Sequence, residues 1–221
     1  MYEGEYLKGV RTGKGKRYKN DELVYEGDFL DGIKNGKGKE YNKGELIYEG
    51  EYKNGERNGN GKEYYKNELI YLGQYLNGLR WNGKGKEHNK DGELTFEGFY
   101  SNGKKNGKGK EYNIKRKMSF EGEYLYGYKR KGKKYINGRL EYEGEFLFGK
   151  WNGKGYDENG NIIYELNNGN GTIKEYNDID QLIFEGEYFN GRRHGKGKEY
   201  ENGELIYEGE YINGRKNGKG K

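Results

Sequence analysis

The 221-residue sequence has no cysteine, no proline and no alanine. Without cysteine there is neither a disulfide framework nor a thiolate metal site. Without alanine, and with 42 glycines, the chain is a poor helix former. Apolar runs are short, far below the about 18 residues of a membrane-spanning helix. Met1 leads straight into the repeated pattern described below, with no signal-peptide signature, so the expected location is cytoplasmic. Large aliphatic residues are scarce and mean hydropathy is −1.40, which by composition alone describes a disordered chain. Two features oppose that reading. The 25 Tyr and 8 Phe recur in register, and 42 basic residues nearly balance 37 acidic ones, for a net charge of +5.

The register is a repeat. Tyr2, Tyr25, Tyr48, Tyr71, Phe96, Phe120, Tyr142, Tyr164, Phe184 and Tyr207 each open a copy, at offsets of 23, 23, 23, 25, 24, 22, 22, 20 and 23 residues. A period of this length marks a stacked array. The expectation is one array over residues 1–221, of about ten units. Positions below are counted from the opening aromatic.

In the third copy Tyr48, Gly50 and Tyr52 alternate with Glu49 and Glu51, the period-2 pattern of a half-buried strand. Asn54-Gly55 follows, the strongest short hairpin signal, because both residues accept positive φ. A second strand carries Gly59 and Gly61 and ends in a polar turn. Each unit is therefore a β-hairpin, and the fold class is all-β: an elongated single-layer antiparallel meander, twisted or curved as sheets are. A two-residue turn sets position 3 opposite position 12 and position 1 opposite position 14. Gly50 then faces Gly59, and Tyr48 lies flat over Gly61. Glu3 faces Lys14, Glu26 faces Lys37 and Glu121 falls near Lys131. The same ladder pairs the opening rings Tyr2, Tyr25, Tyr48, Tyr71, Phe96, Phe120, Tyr142, Phe184 and Tyr207 with Gly4, Gly27, Gly50, Gly73, Gly98, Gly122, Gly144, Gly186 and Gly209.

Some copies depart from the pattern. Trp81 reads as an insertion in the fourth, and Arg130 stands near the position-12 glycine of the sixth. The eighth, Tyr164 to Ile183, lacks the first-strand Gly-Glu-Tyr and the hairpin glycine, so a bulge, kink or weakened unit is expected there. Neither end carries a capping unit, and unpaired terminal strands would favour a homo-oligomer.

The stretches Tyr25-Glu26-Gly27-Asp28-Phe29, Tyr48-Glu49-Gly50-Glu51-Tyr52 and Phe184-Glu185-Gly186-Glu187-Tyr188, with Arg193-His194-Gly195-Lys196-Gly197, resemble the MORN (membrane occupation and recognition nexus) repeat. The resemblance covers essentially the whole chain. It departs in having Tyr or Phe where many members carry Trp at position 5, and Asn where many carry His at position 11. It implies tandem β-hairpins and a scaffold or targeting role at membranes or cytoskeleton, with acidic phospholipids as a proposed ligand. Members often carry a separate lipid kinase or methyltransferase domain, so the chain could also be the repeat segment of a larger enzyme.

Catalytic signals are weak. Gly32-Ile33-Lys34-Asn35-Gly36-Lys37-Gly38 lacks the spacing, hydroxyl and helix of a phosphate loop. His88 and His194 lie more than a hundred residues apart and form no metal pair or dyad. The Glu columns read as the solvated side of strands facing Lys. The expectation is a non-enzyme with no cofactor, no metal site and, given balanced charge, no nucleic-acid partner. One column is a candidate site: Arg11, Lys34, Arg57, Arg80, Lys105, Lys129, Arg193 and Lys216 at position 10, with Trp151 in its place in the seventh copy. It either stacks on the position-5 rings or forms a basic stripe for acidic phospholipids or a protein partner. The leading expectation is a non-catalytic scaffold for protein partners; the second is a peripheral module binding acidic lipid.

Overall fold

The computed structural model describes every residue except Ile114, Arg116 and Phe148. Among the described residues there is no helix. The strands are β1 (Tyr2–Leu7), β2 (Val10–Lys19), β3 (Glu22–Leu30), β4 (Ile33–Asn42), β5 (Glu45–Lys53), β6 (Glu56–Tyr65), β7 (Glu68–Leu76), β8 (Leu79–His88), β9 (Leu94–Ser101), β10 (Lys104–Tyr112), β11 (Met118–Leu125), β12 (Tyr128–Ile136), β13 (Arg139–Phe146), β14 (Lys150–Tyr156), β15 (Ile162–Leu166), β16 (Gly171–Tyr176), β17 (Leu182–Phe189), β18 (Arg192–Glu201), β19 (Glu204–Ile212) and β20 (Arg215–Asn217). The first fifteen form one antiparallel meander in chain order, and the last five form a second. The chain divides into two compact units, Met1–Glu87 with Glu97–Lys105, and His88–Phe96 with Asn106–Lys221.

The hairpins turn where Asn-Gly predicts. Asn54 (φ 52°) and Gly55 (φ 88°) both take positive φ, and Lys53 faces Glu56 across them. The register beyond the turn differs from expectation by two residues. Tyr52 faces Arg57, but Gly50 then faces Gly61 and Tyr48 faces Glu63. Glu51 alone spans what Asn58, Gly59 and Asn60 occupy on the other strand. The cause is a carboxylate-capped bulge: the Asn60 amide donates to Glu51 Oε2 at 2.6 Å. Gly59 sits there at φ +93°, where a Cβ would come within 2.1 Å of that same oxygen. Lys37 N to Asp28 (2.9 Å) and Lys14 N to Glu5 (3.2 Å) repeat the device. The charge pairs move accordingly. Glu3 faces Lys16, Glu26 faces Lys39 and Glu121 faces Lys133, while Lys14 and Lys37 face Asp28 and Glu51 of the following unit.

The ring-over-glycine relation survives the shift, because the ring crosses the strands diagonally. Tyr48 is fully buried and lies over the Gly50–Gly61 pair. A Cβ on Gly61 would meet its hydroxyl at 2.4 Å, and one on Gly50 at 2.5 Å. The opening rings and the position-5 rings interlock edge to face. In the first unit the series runs Tyr2, Phe29, Tyr25, Tyr52, Tyr48, Tyr75, Tyr71, Tyr100, with centroids 5.0 to 6.1 Å apart. Each such pair contributes roughly 0.5–1.5 kcal/mol beyond its buried area, so aromatic packing replaces the aliphatic core the composition lacks. Gly61→Ala should therefore cost about 2–3 kcal/mol, as overpacking does, whereas Gly44→Asn, in an open turn at φ +78°, should cost under about 1 kcal/mol. Urea titration of both variants checks this; equal midpoints would contradict it.

The irregular copies resolve differently from expectation. Trp81 is not an insertion but a one-residue bulge: Tyr75 faces Arg80 and Gln74 faces Asn82. Arg130 does the same between Lys129 and Lys131. Both lie where the glycine-containing bulge of other copies would be. In the eighth copy the hairpin glycine is present after all, displaced by the deletion. Asn168 (φ 51°) and Gly169 (φ 73°) turn the chain, and Gly169 N bonds Trp151 O at 3.0 Å as other turn glycines bond the preceding unit. Its two strands then run on side by side without a shared ladder, Leu166 still packing with Ile173. β15 pairs with β14 and β16 with β17, and between them only Asn167 and Asn170 form a bridge.

Candidate interaction surfaces

The position-10 cations lie on the ring-bearing face. Arg57 stacks over Tyr48 at 4.3 Å, Arg80 over Tyr71 at 4.9 Å, Lys129 over Phe120 at 4.7 Å, Arg193 over Phe184 at 4.1 Å and Lys216 over Tyr207 at 4.3 Å. Lys34 lies over Tyr25 at 4.7 Å and Arg11 over Tyr2 at 4.9 Å. The partner ring is thus the opening one rather than the expected position-5 ring alone, because position 10 faces position 5 and leans over its neighbour.

The sequence reading missed the anions that meet this column. Glu40 pairs with Lys34 and, at 2.6 Å, with Arg57. Glu63 pairs with Arg80 at 2.8 Å, Glu87 with Lys105 at 3.1 Å and Glu111 with Lys129 at 2.8 Å. Arg193 holds Glu175 at 2.9 Å and Glu199 at 2.6 Å, and Lys216 also reaches Glu199 at 2.6 Å. Burial works against the Glu40 carboxylate, yet hydrogen bonds from Lys34 and Arg57 hold it below the usual carboxylate range. Burial likewise opposes the Arg57 and Arg80 charges, and Glu40 and Glu63 more than offset it. The signal was present as a recurring Glu at position 16, where Glu40 faces Tyr48 and Glu63 faces Tyr71.

The junction of the sixth and seventh copies varies the scheme. Lys150, not Trp151, faces Phe146 and lies over Tyr142 at 5.3 Å and Tyr164 at 5.1 Å. Lys134 stands in the Glu column, opposite Tyr142. Glu141 stands in the column that elsewhere holds Val24, Ile47, Ile70, Ile183 and Ile206. Glu141 is 1% exposed and pairs with both Lys150 and Lys134. Burial outweighs the pull of Glu141 and leaves the Lys150 ammonium below its usual pKa. The two sign changes compensate each other.

The opposite face carries the charged side chains of positions 2, 4, 13 and 15 above bare glycine backbone. In the first unit it forms a cavity of 940 Å³, floored by glycines such as Gly27, Gly38, Gly50 and Gly61 and walled by Glu26, Lys37, Lys39, Glu49 and Lys62. Tyr41 and Tyr64 donate to Glu26 (2.6 Å) and Glu49 (3.3 Å) along its wall, and Lys62 pairs with Glu49 at 2.8 Å. A second cavity of 770 Å³ lies in the second unit, with Ile163 of β15 and Ile173 of β16 on its lining beside Lys174 and Lys198. His194 packs against Phe189 at 5.3 Å, and His88 closes β8.

A ring-bearing face with neutralised cations and a glycine-floored charged face define a tandem β-hairpin repeat array, an interaction or membrane-associated module. The MORN repeat pattern matches at residues 2–23, 25–45, 48–69, 96–113, 142–156, 184–204 and 207–221, over half of the chain. The chain belongs to the MORN repeat family. A comparison with curated proteins finds no match.

Proposed function

We propose that the chain is a non-catalytic scaffold that holds protein segments along its glycine-floored face. The observation that carries this reading is the cavity of 940 Å³ lined by alternating Glu and Lys: it offers partners of both charges and close backbone approach, which suits a mixed-charge polypeptide better than a uniformly anionic surface. The position-10 cations support the same choice, since rings and carboxylates already engage them. A photoreactive residue at Leu72, on the cavity lining, should yield a discrete protein adduct that disappears when Lys37 and Lys62 are both changed to Glu. Identical adducts from the exposed turn residue Lys43 would count against the reading. In co-sedimentation, vesicles containing acidic lipid should retain no more protein than neutral vesicles at about 0.1 M salt, where surface attraction is screened beyond roughly 10 Å. Pelleting that depends on acidic lipid would favour the lipid-binding alternative instead.

A further inference from the structure

The two long edges of the first unit's sheet differ. Turns between repeats are flanked by polar residues in two cases, Lys19 with Glu22 and Asn42 with Glu45, and by Tyr65 with Glu68 in the third. Turns within repeats present apolar pairs: Leu30 with Ile33 in the second copy and Leu76 with Leu79 in the fourth. These four are 51%, 45%, 38% and 71% exposed. Between them the third tip breaks the pattern with an opposed charge pair, exposed Lys53 facing exposed Glu56. Among the described residues neither joins a salt bridge.

That sequence of tips is self-complementary. We propose that this edge pairs with the same edge of a second copy, antiparallel, about a two-fold axis at the Asn54-Gly55 turn. In an isologous contact each patch meets itself reversed. Lys53 then meets Glu56 of the second copy and the reverse, Leu30 meets its Leu79, and Ile33 its Leu76. Tips recur every two strands, about 10 Å, so equal spacing on both copies keeps the three in step. A parallel arrangement would set Lys53 against Lys53 and Glu56 against Glu56. A bilayer is disfavoured as occupant because it would have to take up Asp31, Lys53 and Glu56 at the same depth as the leucines. The match ends at the next tips, where Leu7 and Val10 would meet Ser101 and Lys104. The contact is therefore three tips long, below the about 1,200 Å² of a stable complex, and belongs to a weak dimer seen at high protein concentration.

Sedimentation velocity across a hundredfold concentration range tests this, with circular dichroism confirming the fold of each variant. The wild-type chain should shift toward dimer at the upper end. K53E and E56K should each remain monomeric over the range at least tenfold higher in concentration, since each sets like charges together. The K53E/E56K double variant should dimerise as the wild type does, and an equimolar mixture of the two single variants should form a heterodimer. Leu79→Asp should abolish the shift. A wild type that stays monomeric throughout, or single variants that associate as strongly as the wild type, would overturn the proposal; the second result would point to association elsewhere, such as terminal strands.

Discussion

Raising the pH from 10 to 12 should unfold the protein. Burial pushes the Tyr48 phenol up to about 12. Burial pushes Tyr25, Tyr52, Tyr75 and Tyr142 higher still. An unfolded tyrosine ionises near pH 10. Between those values the unfolded chain releases protons that the folded chain keeps. The stability these groups contribute is thus complete below pH 10 and is lost as pH rises through 12. The loss is about 1.4 kcal/mol per pH unit for each tyrosine. Several acting together give a slope that exhausts the about 5–15 kcal/mol of a typical domain within two units. Loss of the far-ultraviolet strand signal should coincide with the last rise in phenolate absorbance, that of the buried rings. Strand signal persisting after all the phenols have ionised would show that the rings are not buried. Tyr48→Phe should make the transition shallower, since Phe96 and Phe120 occupy the same column fully buried.

The second large effect concerns the junction of the sixth and seventh copies. Glu141→Ile should cost about 3 kcal/mol or more, because it leaves Lys134 and Lys150 facing each other without the buried carboxylate, and breaking a buried pair from one side costs about 3–5 kcal/mol. Lys134→Glu should also destabilise, by bringing a second carboxylate to Glu141. The double variant restores the arrangement of the other copies, with an aliphatic residue before the ring and Glu opposite it. It should recover most of the loss, with a coupling of roughly 1.5–3 kcal/mol. Denaturant titration of the four proteins closes the cycle; additive losses would mean that the two sign changes are unrelated.

Much of the fold was legible because its signals are local. Asn54-Gly55 fixes a turn from its own φ preferences, and the alternation from Tyr48 to Tyr52 fixes a strand. The register was not legible, since it depends on a side chain closing a bulge from the neighbouring strand. Glu51 looked like one more solvated carboxylate, and nothing local distinguishes it from Glu49. The basic column was found, but its partners were not. Glu40 and Glu63 lie in a part of the unit that alternation assigns to no special face, and their meaning appears only when position 16 is set beside position 10 of the next hairpin. The compensation between Lys134 and Glu141 was only half visible: Glu141 departs from the aliphatic column, but Lys134, at position 15 from Phe120, matches Lys39 and Lys62 until the one-residue bulge at Arg130 sets it opposite Tyr142. For the eighth copy the sequence points to a bulge, kink or weakened unit; the structure shows β15 and β16 in different ladders joined at the Asn167–Asn170 bridge, with Gly169 in place at the turn.

That break in the ladder bears on cooperativity. In a linear array, order spreads from hairpin to hairpin through shared backbone ladders. Between Leu166 and Gly171 the backbone ladder thins to the Asn167–Asn170 bridge. Leu166 and Tyr164 on one side still pack with Ile173 and Phe184 on the other in one buried cluster, so coupling across this point passes through side chains rather than through the ladder.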